Sequence, residues 1–229
     1  MYMDFFKTHV LWIGVVLCAI VLIAGGAYHY RRIIFPPPIP PPIRVTFVEG
    51  ITVQKAAEQV ASMFPAISAG EFISAGGSSE GYLFPDTYFF SSSTDATTIV
   101  KKMRDNFDTR IASLSGEILA SGHSLSDIVN MAAIIEKEAR TNEDRHIVAG
   151  ILWKRLALGM PLQVDAAPDT YTHTGFPPAP ICNPGLDALE TVLNPTKTDF
   201  LYYLTGKDGL MHYAKTYAVH QTNIRKYLR

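Results

Sequence analysis

The chain has 229 residues, a formal net charge of −1, and 48% hydrophobic against 18% charged residues. That length suits one main domain with accessory segments, and the balanced charge lacks the basic stripe of a nucleic-acid binder, so nucleic acid is not an expected partner. Two cysteines, Cys18 and Cys182, the first inside an apolar run, exclude a disulfide scaffold.

In chain order, Val10–Tyr28 is 19 residues without a charge, close to the roughly 20 that cross hydrocarbon as a helix. Trp12 and Tyr28 near its ends suit an interfacial aromatic belt. A cleaved signal peptide would carry a shorter apolar region, about 7–15 residues, and a small-residue cleavage site, so an uncleaved transmembrane anchor is expected. Pro36–Ile43 has six prolines in eight residues, which predicts a stiff polyproline spacer.

Ile43–Val48 alternates and is β-branched, which predicts a strand. Val53, Ala56, Ala57, Val60, Ala61 and Phe64 recur at helical spacing behind Thr52, a plausible N-cap. Glu80–Phe90 is aromatic around a Pro-Asp turn, and Thr94–Phe107 predicts an amphipathic helix. Ser124–Asp127 opens another helix with a capping-box pattern, and a further helix spans about Glu143–Leu158. Residues 161–187 form a Pro- and Gly-punctuated loop. A short helix at Leu186–Leu193, strands at Leu201–Leu204 and Met211–Ala214, and a helix at Tyr217–Tyr227 complete an α+β fold. The basic residues Lys101, Lys102, Arg104, Arg140, Arg145, Lys154 and Arg155 are scattered and read as solvated helix faces.

Two glutamates sit in IIEKEAR. At about 100° per residue, Glu138 projects within about 20° of Met131 and on the stripe of Ile134 and Ile135. Glu136 points about 160° away, where Arg140 is available at i, i+4. A carboxylate on an apolar stripe is unfavourable unless paired or protonated, and desolvation raises its pKa toward the range a general acid needs. Periodicity leaves one alternative open, a stripe-edge glutamate that snorkels or pairs with a lysine. Polar groups that could join Glu138 from loops and strand ends are Gln163, Asp165, Tyr171, Asn183, His212 and His220. No HExxH or CxxC spacing marks a metal site, and no cofactor loop is present. Cys182 has no Cys-His signature around it and reads as an incidental thiol.

The ordered segments EGYLFPDTY (80–88), AAIIEKEA (132–139), VAGILWKRLALGMPLQVD (148–165), GFPPAPICNPGLDAL (175–189) and DFLYYLTGKDGLMHYAKTYAVH (199–220) resemble the endolytic murein transglycosylases of the YceG-like family. The resemblance covers about residues 45–229. It implies a single-pass membrane protein with an extracytoplasmic catalytic domain, acting on peptidoglycan glycan strands beside peptidoglycan synthases. It implies a tail (1–9), a transmembrane helix (10–30), a basic and proline-rich linker (31–43), a truncated LysM-like subdomain (44–79) and a catalytic domain (80–229). It places the essential glutamate on Glu138, with Glu80 and Tyr88 of the first segment among the supporting residues.

The departures from the family pattern are local. The family's two strand–helix segments are here reduced to one, Gln-Ser-Asp-Pro reads Gln163-Val164-Asp165-Ala166, about 20 residues before Tyr171 are missing, and Glu-His-Asn reads Val219-His220-Gln221. Lys7 before the apolar run and Arg31 and Arg32 after it weakly favour a cytoplasmic C-terminal part, against the extracytoplasmic placement the family implies. Two other expectations fit the same residues: a lysozyme-like hydrolase using Asp165 or Asp86, and a non-catalytic membrane-tethered scaffold.

Overall fold

The computed structural model describes residues 2–34, 40–139 and 141–229, and the side chains of residues 2–13, 15 and 32 are outside that description. Expectations resting on Lys7, Trp12, Arg32, linker residues 36–39 and Arg140 therefore fall outside the described residues. The chain divides into two units, Met1–Pro41 and Pro42–Arg229. In the first, α1 (Tyr2–Ile34) is one continuous helix whose described apolar side chains are exposed, Leu22 at 76% and Ile23 at 71%. No single helix among the described residues is long and apolar enough to cross a membrane; Val16–Arg31 is a shorter apolar helical stretch.

The second unit begins with β1 (Ile43–Thr46), α2 (Val53–Met63), α3 (Ala69–Gly76) and β2 (Thr87–Phe90). The strands pair antiparallel, from Ile43 opposite Phe90 to Thr46 opposite Thr87. Thr52 caps α2 by accepting from the Lys55 amide, which satisfies one orphan donor of the first turn. Sequence periodicity did not announce α3, which a Ser68–Glu71 capping box starts. Its eight residues carry too short an apolar pattern to stand out. The first core gathers Val45, Phe47, Val60, Phe64, Phe72, Leu83, Tyr88 and Phe90 with Ile99 and Met103. It therefore runs on into α4 (Ala96–Ser113), well past residue 79. Asp95 caps α4 through the Thr98 amide. The helix continues beyond Phe107, and its exposed side carries Lys101–Asp105 and Arg104–Asp108 pairs.

A short α5 (Ser115–Ser121) ends at Gly122 in the left-handed region, φ 72°. Then come α6 (Leu125–Glu138), α7 (Asn142–Ala157), α8 (Leu186–Leu193), the hairpin β3 (Tyr202–Thr205) and β4 (Met211–Ala214), and α9 (Tyr217–Tyr227). Every residue from Ile128 to Ile135 is buried, Asn130 included, so α6 is enclosed all round and forms the axis of a second core with Val148, Leu152, Leu162, Leu189 and Val192. In contrast, α9 leans on the β3–β4 hairpin and buries no residue of its own.

A close approach fixes α7 against the segment after α8. A methyl group on Gly150 would lie 2.0 Å from the Thr196 carbonyl oxygen, while the Thr196 amide donates to the His146 carbonyl at 3.0 Å. Backbone cannot yield as a flexible side chain does. Gly150→Ala is expected to destabilise the fold by about 3 kcal/mol, the upper range of overpacking, read as a lowered chemical-denaturation midpoint.

Candidate active site

Glu138 is the last residue of α6, where the helix leaves the core. The Ala166 amide donates to its Oε1 at 3.2 Å and the Tyr203 hydroxyl donates to its Oε2 at 3.1 Å. Among the described residues no cation pairs with it. Its pKa lies above the ordinary carboxylate value, first because burial disfavours the charged form, with a smaller push from the Asp165 charge; the bonds from Ala166 and Tyr203 pull the other way.

Glu136 has a different environment, and one the stripe argument did not foresee. Its side chain is only 6% exposed and pairs with Arg145 at 3.1 Å, while its other oxygen accepts from the Gly185 amide at 3.0 Å. Both glutamates leave the same buried helix, so burial alone does not separate them. Pairing does.

Around Glu138 lies a cavity of about 820 Å³ lined by residues from four parts of the chain. Arg155 comes from α7, Gln163, Asp165 and Tyr171 from the loop, Tyr202 and Tyr203 from β3, and Tyr217 and His220 from α9. The Tyr171 hydroxyl donates to Asp165 Oδ1 at 2.5 Å, and this bond, first among the causes, pushes the Tyr171 pKa up to about 12. Burial raises Tyr203 well above the usual phenol range, so its hydroxyl stays a donor. His220 stacks on Tyr202 with ring centroids 5.3 Å apart. Burial lowers its pKa, aided by the Arg155 charge, and its enclosed Nδ1 has no hydrogen-bond partner among the described residues.

The structure thus brings Glu138, Gln163, Asp165, Tyr171 and His220 to one cavity. The other expected residues lie elsewhere. Asn183 is 1% exposed: its Oδ1 accepts from the Leu83 amide, and its Nδ2 donates to the Ile51 carbonyl and to Glu80 Oε1. Glu80 also accepts from the Val53 amide. These two side chains join the two cores. The Tyr88 hydroxyl is buried against the Phe84 carbonyl and Asn106. His212 bonds to Asp208 and stacks on Tyr227. None of the four lines the cavity.

Among the cavity residues that were not singled out from the sequence, Tyr203 and Arg155 have direct roles in the geometry around Glu138. Tyr203 gave no signal beyond its place in a short strand. Arg155 read as part of a solvated face, whereas it is 4% exposed. The correction has a physical cause: α7 is wrapped by residues 161–163 and 201, so its basic side faces protein carbonyls rather than water. Cys182 is buried, with a thiol pushed up to about 12 by desolvation, so it is a packing residue.

Comparison with known proteins follows the same layout. Against the endolytic murein transglycosylase of Bacillus subtilis the chain is 33% identical over 172 residues, which is 65% of this chain and 48% of that protein. Against that of Streptococcus pneumoniae strain D39 it is 28% identical over 177 residues, 65% of this chain and 32% of that protein. The chain therefore spans half or less of the length of these curated relatives. The crystal structure of a YceG-like protein from Listeria monocytogenes superposes with a TM-score of 0.72 at 27% identity, covering 80% of this chain and 76% of that one. The model of the YceG-like family matches residues 33–168 and 169–226, two stretches that meet in the shortened loop beside Tyr171. The chain belongs to the YceG-like family.

Proposed function

We propose that the chain is an endolytic murein transglycosylase, cleaving the bond between N-acetylmuramic acid and N-acetylglucosamine in nascent peptidoglycan strands and so terminating their elongation. The observation that carries this reading is Glu138: a desolvated carboxyl with no cationic partner among the described residues, facing a cavity that holds several sugar-sized groups. The activity for which its relatives are named points the same way.

In the reaction, Glu138 donates its proton to the glycosidic oxygen as the bond from that oxygen to muramoyl C1 breaks. The resulting carboxylate takes the proton of the C6 hydroxyl of the same sugar, whose oxygen closes on C1 to give a 1,6-anhydro end. No water is consumed. The nucleophile belongs to the bound sugar, which supplies the proximity advantage of an intramolecular step and explains how one carboxyl can serve where hydrolysis takes two. Tyr202 and Tyr217 line the cavity beside Glu138. Asp165 in the same cavity is the observation that favours a lysozyme-like hydrolase instead. Mass spectrometry of glycan digested by the full chain separates the two: anhydro ends are expected, and reducing ends would overturn the transglycosylase reading.

The exposed apolar side chains of α1 are a surface that water disfavours. They support a membrane anchor, and the glycan substrate of the proposed reaction is what argues for a catalytic unit on the extracytoplasmic side, near peptidoglycan synthases. The LysM-like part expected over residues 44–79 contains β1 but not its partner β2 at Thr87–Phe90, so the β–α–α–β order supports extending that glycan-binding reading to residues 43–90.

A pH prediction follows from the charges around Glu138. The acid must be protonated, so activity falls as pH rises through its pKa, and its raised pKa carries activity to higher pH than an ordinary carboxyl would allow. Asp165→Asn removes a like charge, so the Glu138 pKa drops and the basic limb of kcat/KM against pH moves to lower pH. A limb that stayed in place would show that Asp165 does not act on Glu138 through charge.

A further inference from the structure

A single buried cation joins the two segments that grip Glu138. Arg155 Nε donates to the Pro161 carbonyl at 2.9 Å, Nη1 to the Leu201 carbonyl at 3.1 Å, and Nη2 to Gln163 Oε1 at 2.5 Å. Among the described residues no carboxylate pairs with it. A guanidinium buried without a counter-ion is unfavourable on its own, so its place rests on what it holds. Pro161 and Gln163 begin the loop that delivers Asp165 and the Ala166 amide. Leu201 stands two residues before Tyr203. The two donors to Glu138, Ala166 and Tyr203, therefore come from segments fastened to the same guanidinium.

Gln163 adds an independent sign. It is the one non-glycine residue with positive φ among the described residues, at 55°, a conformation that costs about 1–2 kcal/mol for an L side chain. Its amide donates to the Thr170 carbonyl at 3.1 Å, and Arg155 holds its side chain. A guanidinium has only donors, so the carboxamide atom facing it must be the oxygen. The two Nε2 hydrogens then have no partner among the described residues, on an exposed side chain that lines the cavity. Gln163 is left with two donor hydrogens open to a ligand in the cavity.

We propose that Arg155 is the positioning residue of this site, setting the loop and strand that hold Glu138, and that Gln163 donates through Nε2 to an oxygen of the bound glycan. The inference rests on the transglycosylase reading and names how that site grips its sugar. Lysine at position 155 keeps the charge but cannot reach three acceptors in a fork, so the Ala166 and Tyr203 bonds to Glu138 loosen. Glutamate at position 163 keeps an oxygen for Arg155 and removes both donors.

The test is steady-state kinetics of the full chain in detergent on purified glycan, for wild type, Arg155→Lys, Gln163→Glu and Glu138→Gln, with melting curves for each. Wild type should form product and Glu138→Gln should not; if wild type is folded and inactive, the functional reading itself falls. Given an active wild type, Arg155→Lys is expected to lower kcat about 100-fold, as misplacement by about an ångström does, with a smaller change in KM. Its basic pH limb should move up, because the two bonds that pull the Glu138 pKa down are weakened. The charged or titratable groups facing Glu138 are Tyr203 on β3, Asp165 and Tyr171 on the loop, Arg155 on α7 and His220 on α9. A general loss of stability would leave that limb where it is. Gln163→Glu is expected to raise KM about tenfold, one lost hydrogen bond in fold-change, with kcat within about threefold. Wild-type kcat and pH limb in Arg155→Lys, or wild-type KM in Gln163→Glu, would overturn the proposal. Gln163 is exposed, so its variant folds, and its KM keeps the proposal falsifiable even if Arg155→Lys does not fold.

Discussion

Glu138→Gln is expected to reduce glycan cleavage by about 10³-fold, within the range that a positioned acid–base group contributes, while the protein stays folded. The carboxamide oxygen can still accept from the Ala166 amide while its NH2 donates to the Tyr203 hydroxyl oxygen, reversing that bond, but the group can neither give nor take the proton. Removal of a desolvated carboxyl should leave the melting temperature unchanged or raise it, since groups held for chemistry are commonly placed at some expense of stability. Glu136→Gln should behave in the opposite way. It weakens the buried pair with Arg145 and the bond from the Gly185 amide, which is expected to lower stability by about 2 kcal/mol, yet leaves turnover within a few-fold. Product assay and thermal melt on the two variants separate the roles. If both lost turnover equally while folded, Glu138 would not be singled out as the acid.

Asn183→Ala is the second large effect, and it is one of stability. The side chain satisfies the Leu83 amide, the Ile51 carbonyl and Glu80 together, in a buried position. Its removal leaves a cavity and strands the Leu83 amide donor, worth about 1–3 kcal/mol when buried and unpaired, while the Ile51 carbonyl keeps its bond from the backbone amide of residue 183. A net loss of about 3 kcal/mol lowers the melting temperature by about 10 °C for a protein of this size. Glu80 would lose a donor too, and its pKa, already raised by burial, would rise further. Turnover per folded molecule should be preserved, because Asn183 does not line the cavity. A folded Asn183→Ala protein with wild-type stability and no turnover would return Asn183 to the active site.

Much of the fold was legible because its elements carry strong local signals. The apolar period and Ser124 cap of α6, the stop of α7 at Gly159, and the limits of α8, β4 and α9 all follow from spacing and capping. α3 and α5 were not legible, being too short for a period to show. The end of α4 was misplaced because its last turns bury little after Phe107, so hydrophobic pattern does not mark them. In the site, Glu138 was visible as a carboxyl among apolar neighbours. Its distinction from Glu136 was read from the helix face, whereas the structure draws it by pairing, since both leave a helix that the core encloses.

The sequence by itself determined the α+β class, the family, and a glutamate at the end of an apolar helix, because each of these is written in residues near one another in the chain. Only the tertiary structure decided which groups meet that glutamate. Tyr203 lies 65 residues from it, and Arg155 reaches Leu201 across 46. It also decided that Asn183 and Glu80 join two cores and do not face the cavity. Contacts at such separations depend on how helices and hairpin pack around α6, and no local period or cap encodes them.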